Sequence, residues 1–215
     1  MSFMKLIGLV FVMVFTLLFL RMGHAATFTN NGNVIFLEGE IKKNDAVKLE
    51  SMVTATGLKT VFLNSDGGDA LEGYDLGYTI QDLGLSVVIA SETACLSSCA
   101  IAFMGGKTKI QGGILGYHVA WSPDDTQSYS DGMKSGQFIG ALNAAYFFNM
   151  GYTAQLPFIV SHVTTPDTFL ILSSDDLKLF KIEDGAYTSY SKLPRGWVAD
   201  RIAGSLRLFL LKKGI

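Results

Sequence analysis

A serine, a histidine and a pair of glycines lie at three predicted strand ends. Gly67-Gly68 form a tight turn after an apolar run, Ser97 stands between a predicted strand and a predicted helix, and His118 ends a third strand. Serine acyl transfer needs a hydroxyl nucleophile, a general base and amide hydrogens that hold a developing oxyanion. If the three strand ends converge, these residues supply all of those groups.

The role of each residue follows from its position. Ser97 is the candidate nucleophile, and the backbone N–H groups of Gly68 and Ser98 are the candidate oxyanion hole. His118 is the candidate base, whereas His162, on a predicted helix, has no comparable setting. Taken singly, a helix-capping serine, a glycine turn and a structural histidine explain the same residues, so the prediction depends on their combination.

A third group is expected to orient the imidazole. Asp167 is the first choice among the carboxylates because it follows Pro166 at the mouth of an extended run. Asp124 and Asp125, in the polar loop after His118, are the alternatives. A turn aspartate after proline is the structural explanation of Asp167.

Cys95 and Cys99 flank the candidate nucleophile. Four residues apart, they form a disulfide only if the turn brings their Cα atoms within about 7 Å; otherwise they are two small buried residues. Cys99 as nucleophile is the less favoured alternative. The cysteines and histidines match no zinc pattern, and Gly67-Gly68 lack the lysine and the spacing of a P-loop, so we expect no metal and no cofactor.

The intervening sequence predicts one domain of alternating strands and helices. Gly73 and Gly77 lie four residues apart on one predicted helix, which indicates that a neighbouring strand or helix approaches it closely. The predicted strands are 34–41, turning at Gly39, then 60–64, 85–90, 114–117 and 167–172. The predicted helices run from Asn44, the candidate N-cap, to Gly57 and over 70–83, 133–150, 153–163 and 174–180. Ser173 and Asp176 are predicted to form a capping box for the last of these helices.

The first 25 residues resemble a secretory signal. Lys5 precedes the apolar run 6–20, and Gly23-His24-Ala25 places small residues where a signal peptidase reads them. We expect cleavage after Ala25 and a periplasmic or secreted protein; a retained membrane anchor facing the periplasm is the alternative. Cleavage changes the formal net charge from −2 to −4, which argues against a nucleic-acid partner.

Residues 26–190 are predicted to form the domain, and residues 191–215 a basic amphipathic helix. This tail is expected to dock on the domain, to pair with another subunit or to lie on a membrane surface.

The segment 63–68 followed by Gly73 resembles the strand, glycine turn and helix of the Clp protease proteolytic subunit. Segments 97–106 and 114–118 resemble the nucleophile helix and the histidine strand of that family. The resemblance covers residues 34–182 and departs from the family turn at Asp66, where the family has proline.

This resemblance implies a Clp/crotonase-like spiral of β-β-α units with Ser97, His118 and Asp167 as a triad and Gly68 and Ser98 as oxyanion hole. The leader and the Cys-x-Ser-x-Cys setting are similar to a small exported branch of the superfamily.

The expected function is an exported serine peptidase that acts on peptides or proteins as a homo-oligomer. One alternative is a non-catalytic peptide-binding or assembly domain of the same fold. A second is a membrane-attached enzyme in which Lys107 or Lys109 replaces the histidine.

Overall fold

The computed structural model describes residues 25–120 and 128–181. The predicted leader up to residue 24, the loop carboxylates Asp124 and Asp125 and the predicted tail helix 191–215 lie outside the described residues.

Strands and helices alternate along the described chain. The strands are β1 Thr27–Asn30, β2 Ile35–Glu38, β3 Thr60–Asn64, β4 Ser86–Ile89, β5 Ala94–Leu96, β6 Thr108–Gln111, β7 Ile114–Tyr117 and β8 Leu170–Ile171. The helices are α1 Asp45–Thr56, α2 Ala70–Asp82, α3 Ser98–Met104, α4 Tyr129–Asn149, α5 Gln155–Val163 and α6 Ser174–Lys178.

The larger sheet has the order β1-β2-β3-β4-β6. All its pairs are parallel except the β1–β2 hairpin. In β3, Val61 and Leu63 are fully buried and Phe62 is half-buried, which is typical of a parallel strand covered on both faces.

The smaller sheet has the order β5-β7-β8, with β5 and β7 parallel and β8 antiparallel. Ser65, directly after β3, bridges to Cys95 of β5 and so connects the two sheets. The chain thus runs β4-β5-α3 and then β6-β7-α4, so the predicted single α/β domain with β-β-α units is confirmed.

The short edge strands β1, β5 and β6 were not predicted. The sequence of β6 reads Thr-Lys-Ile-Gln, with Ile110 exposed, so it lacks the apolar run that marks the buried strands.

Helix α1 begins differently from the prediction. Asn44 is the N-cap residue, but its φ is +74° and its side chain makes no capping hydrogen bond. Glu72 of α2 caps the helix instead, since its carboxylate accepts from the N–H groups of Asn44 at 2.9 Å and Ala46 at 2.6 Å. The buried Glu72 therefore joins the first two helices.

The glycines of α2 allow neighbouring elements to approach, as predicted. A Cβ atom at Gly73 would lie 2.7 Å from Ser98 Cβ, and one at Gly77 would overlap the Tyr146 hydroxyl of α4. A Cβ atom at Gly105, which ends α3, would overlap the carbonyl oxygen of Gly77. Helices α2 and α3 therefore pack backbone to backbone, which holds the start of α3 at a fixed position.

Helix α4 differs in its two halves. Tyr146 and Phe147 are buried in the core near its end, whereas the first ten residues are all exposed. Within the described part of the chain, no helix has the length and apolar character needed to cross a bilayer.

Candidate active site

Ser97 has a backbone conformation that is unusual for a residue with a side chain. It lies between β5 and α3 with φ +54° and ψ −123°. Its N–H donates to the Gly116 carbonyl at 2.9 Å, and its own carbonyl accepts from Ile101 N–H at 3.2 Å. Such conformations cost about 1–3 kcal/mol and persist only where the surroundings enforce them, most often at functional sites.

His118 lies directly against Ser97. Its Nε2 is 2.7 Å from Ser97 Oγ, and its Nδ1 is 2.9 Å from the Pro166 carbonyl oxygen. A carbonyl oxygen can only accept, so Nδ1 carries the proton and Nε2 is left to accept from the serine hydroxyl. This is the tautomer that a general base needs.

The third position differs from the prediction. The Pro166 carbonyl, and not the Asp167 carboxylate, contacts the imidazole. Asp167 is exposed, and no other described residue bonds to its carboxylate; only its backbone N–H is engaged, with Thr165 Oγ1 at 3.3 Å. The turn after Pro166 directs the main chain toward His118 and the Asp167 side chain toward solvent.

The predicted oxyanion donors have no acceptor within the described part of the chain. Neither Gly68 N–H nor Ser98 N–H donates a hydrogen bond to any described residue. The glycine turn lies against the nucleophile, because a Cβ atom at Gly67 would be 2.6 Å from Ser97 Cβ and 3.1 Å from Ser98 N. A Cβ atom at Gly68 would instead overlap the Ile41 carbonyl oxygen, so glycine is required there by packing as well as by its φ of +146°.

The geometry distinguishes Ser97 from its neighbour Ser98. Ser98 is 1% exposed, and its Oγ has no hydrogen-bond partner among the described residues. Its side chain packs against Gly73 of α2, away from the imidazole. Ser97 is therefore the hydroxyl that faces His118.

Two residues that were not predicted also hold the histidine. Thr164 Oγ1 accepts from Val119 N–H at 2.9 Å and donates to the Val160 carbonyl at 2.7 Å, which ties the chain after His118 to the end of α5. The Phe169 ring lies 4.6 Å from the imidazole centroid at 32°. A buried threonine and a half-exposed phenylalanine carry no sequence signal for this role.

An apolar surface adjoins the histidine. Along β7, Ile114, Gly116 and His118 point to one side, while Leu115 and Tyr117 point into the core. A Cβ atom at Gly116 would lie 2.7 Å from a methyl of Leu96 and 3.0 Å from one of Ile171. We call the outward side chains of Leu96, Ile114, Phe169 and Ile171 the apolar platform.

Cys95 and Cys99 are joined by a disulfide with a Cα–Cα distance of 5.1 Å. Both residues are fully buried. The alternative that they are two unlinked small side chains is therefore wrong. Because its sulfur is in the disulfide, Cys99 has no thiol that could act as nucleophile.

The lysines proposed as alternative bases are engaged elsewhere. Lys109 Nζ donates to the Gly106 carbonyl and lies 5.8 Å from the ring centroid of Tyr152. Burial and the nearby Lys181 lower the pKa of Lys109 to about 8. Lys107 is exposed, and neither lysine bonds to Ser97, whose hydroxyl is taken by His118.

No protein-family model matches the chain, and no curated protein matches it. Among solved structures, it is similar to a ClpP1 of Listeria monocytogenes, with 14% identity, coverage of 69% of this chain and 86% of that chain, and a TM-score of 0.47. A mutant of that protein gives the same identity and coverages with a TM-score of 0.48. A mutant of the 1510-N membrane-bound stomatin-specific protease gives 12% identity, 73% and 80% coverage and a TM-score of 0.47. What this protein does is therefore inferred from the geometry around Ser97.

Proposed function

We propose that the protein is a serine peptidase that forms an acyl-enzyme on Ser97. The observation that carries the proposal is the 2.7 Å hydrogen bond between Ser97 Oγ and His118 Nε2, with Nδ1 held by a carbonyl. A serine that only caps a helix needs neither a positive φ nor a hydrogen bond to an oriented imidazole.

The reaction follows from the positions of these groups. Ser97 Oγ attacks the scissile carbonyl and gives its proton to His118 Nε2, and the oxyanion accepts hydrogen bonds from the N–H groups of Gly68 and Ser98. The imidazolium returns the proton to the leaving amine, and water then hydrolyses the acyl-enzyme with His118 again as base. The Pro166 carbonyl orients the imidazole throughout.

The apolar platform supports a peptide with an apolar side chain next to the scissile bond. Its residues lie on the same outward side of the small sheet as His118, and its member Phe169 packs against the imidazole. Covering these exposed side chains contributes about 25 cal/mol per Å² of apolar area.

Labelling with a fluorophosphonate probe tests the proposal. We expect the purified protein to be labelled, with labelling abolished by Ser97→Ala and reduced about a thousandfold or more by His118→Ala. The matched control is Ser98→Ala, which keeps the backbone N–H, removes a hydroxyl that bonds to no described residue and should label normally. Undiminished labelling of the Ser97→Ala variant would overturn the proposal.

We further propose that the protein acts outside the cytoplasm after cleavage following Ala25. The sequence carries the pattern of a signal peptidase site. Amino-terminal sequencing of the protein recovered from the periplasm or the medium should begin at Ala26-Thr27. A chain that stays in the membrane with residues 1–25 attached would support the anchored form instead.

A non-catalytic peptide-binding domain is the second candidate, and one observation favours it. The carbonyl at the third position carries only a partial charge, so it stabilises an imidazolium less than a carboxylate does. Apolar peptides that bind the wild type and the Ser97→Ala variant equally, without turnover by the wild type, would support this candidate.

A further inference from the structure

The Cys95–Cys99 disulfide closes a ring of chain with Ser97 at its centre. Only Leu96, Ser97 and Ser98 lie between the two bridged residues. The ring therefore contains the candidate nucleophile Ser97, which has a positive φ, and the N–H of Ser98, which is one of the two candidate oxyanion donors.

We propose that this disulfide is a positioning device for acyl transfer, which holds Ser97 Oγ against His118 and aims Ser98 N–H at the oxyanion. The inference rests on the proposed function. Cys95 and Cys99 touch no reacting atom in this role; they act through the backbone between them.

Each end of the ring is fixed to a different element. Cys95 lies in β5, opposite Leu115 of β7, and bridges to Ser65 on its other side. Cys99 lies in the first turn of α3, which packs against the glycines of α2. The chain must therefore pass from strand to helix within three residues, and it does so with Ser97 at φ +54°.

Two unfavourable features lie inside the ring. One is the backbone conformation of Ser97, and the other is the buried Ser98 Oγ, which bonds to no described residue. Apart from the disulfide, the contacts among the described residues that oppose relaxation of Ser97 are its two backbone hydrogen bonds, its hydroxyl bond to His118 and the close approach of Gly67. Without the bridge, we expect Ser97 to relax toward an ordinary φ, which turns its Oγ away from Nε2 and rotates Ser98 N–H.

The bridge would then determine where the protein is active. A structural disulfide persists in an oxidising compartment and is kept reduced in the cytosol. A peptidase whose nucleophile is held by a disulfide would form the acyl-enzyme slowly before export, while the two cysteines are reduced. Cytosolic proteins would therefore not be cleaved by it at an appreciable rate.

A double-mutant cycle measures the effect. Fluorophosphonate labelling rates at saturating probe are compared for the wild type, Cys95→Ala, Cys99→Ala and the double variant, with folding checked by circular dichroism. We expect each single variant to label about tenfold to a hundredfold more slowly, because displacement of a reacting group by about 1 Å has an effect of this size. The double variant should be no slower than either single variant, since either change removes the whole bridge.

The controls separate positioning from stability and packing. Leu49→Ala removes a fully buried side chain from α1, remote from the ring, and should lower the melting temperature while leaving labelling of the folded protein unchanged. Rates that multiply in the double variant would mean that the cysteines act only as separate packing groups, and unchanged rates would mean that the bridge positions nothing; either result overturns the inference.

The wild-type sequence provides a second comparison in case a variant does not fold. Protein refolded from denaturant under reducing conditions should label more slowly than protein refolded with the bridge, and equal rates would contradict the inference. A wild type that is not labelled at Ser97 in either form would overturn the proposed function, and the inference with it. Normal labelling of a bridge-free protein overturns the inference alone.

Discussion

At the scale of single residues, the orientation of His118 depends on main-chain rather than carboxylate contacts. The Pro166 carbonyl accepts from Nδ1, and Thr164 holds the backbone of the following residue, Val119. A carbonyl selects the same tautomer as a carboxylate does, but it adds less electrostatic stabilisation of the imidazolium. In the proposed reaction, acyl transfer then depends more strongly on positioning and on the two amide donors.

The first prediction concerns Asp167. Because its carboxylate has no bond to His118, Asp167→Asn should change the rate of peptide hydrolysis or probe labelling by less than about threefold, whereas loss of a true triad carboxylate costs about ten thousandfold. Steady-state kinetics of the purified variant give the answer. A loss of a thousandfold or more would mean that Asp167 reaches the imidazole during the reaction.

The second prediction concerns Thr164. Thr164→Val keeps the shape but removes the acceptor for Val119 N–H, which should lower kcat about tenfold and the free energy of unfolding by about 1–3 kcal/mol. Thr164→Ser keeps the hydroxyl and should restore kcat. If both variants have the same kcat, the hydroxyl does not position His118.

At the scale of elements, the site is held by helices that meet without side chains between them. Gly73, Gly77 and Gly105 let α2 and α3 approach until backbone touches backbone. Gly73 and Gly77 reduce the intrinsic stability of α2, yet together with Gly105 they place the first turn of α3, and with it Ser98 N–H, at a fixed distance from the sheets.

A pair of glycine substitutions should have opposite effects. Gly105→Ala puts a methyl group on the Gly77 carbonyl at an ordinary φ and should destabilise the fold by about 3 kcal/mol. Gly136→Ala lies on the exposed half of α4 with no described atom of its own chain within 4 Å, so it should stabilise the dissociated chain by about 0.5–1 kcal/mol. Denaturant unfolding monitored by fluorescence measures both changes. Equal effects would contradict the close contact of α2 with α3.

The half-buried Lys109 of β6 should make stability depend on pH. Burial and Lys181 lower its pKa from 10.5 to about 8 in the folded chain, so between these values the unfolded chain binds more protons. Stability should therefore rise as pH increases through this window. In Lys109→Met this rise should be absent, which denaturant unfolding at pH 7, 8.5 and 9.5 would detect; an identical pH profile for both proteins would contradict the shift.

At the scale of the whole molecule, the exposed half of α4 needs an explanation. Tyr129 and Met133 are exposed one turn apart on the same side of the helix, and Phe138 is exposed on the opposite side. Gly132, Gly136 and Gly140 weaken the helix. Isolated helices of this length and composition are marginal in water. We expect this half to be covered by a second copy of the chain, in line with the homo-oligomer predicted from the sequence.

Phe138→Glu should then lower the molar mass measured by light scattering at micromolar concentration. Val47→Glu is the matched control, since Val47 is an equally exposed apolar residue on α1 and its replacement should leave the mass unchanged. A wild type that is monomeric at that concentration would contradict the expectation.

The sequence by itself determined the parts whose signals are local. Strand ends, glycine turns and apolar periodicity identified β3, β7 and the start of α3, and they predicted that Gly68, Ser97 and His118 follow strand ends. The capping box of Ser173 and Asp176 was also predicted, because it involves residues three apart. These features are local because the backbone conformation of each segment is determined by the residues within it.

Only the tertiary structure decided which groups meet across the chain. The Pro166 carbonyl, rather than the Asp167 carboxylate, faces His118. A small change in the backbone dihedrals of this turn exchanges one group for the other, and the spacing of residues in the sequence does not show which group is presented. Helix α1 is capped by Glu72, which lies 26 residues after Ala46, one of the residues whose N–H it accepts from. The local candidate Asn44 makes no side-chain capping bond. Contacts between distant residues depend on how whole elements pack, and a local pattern contains no information about that packing.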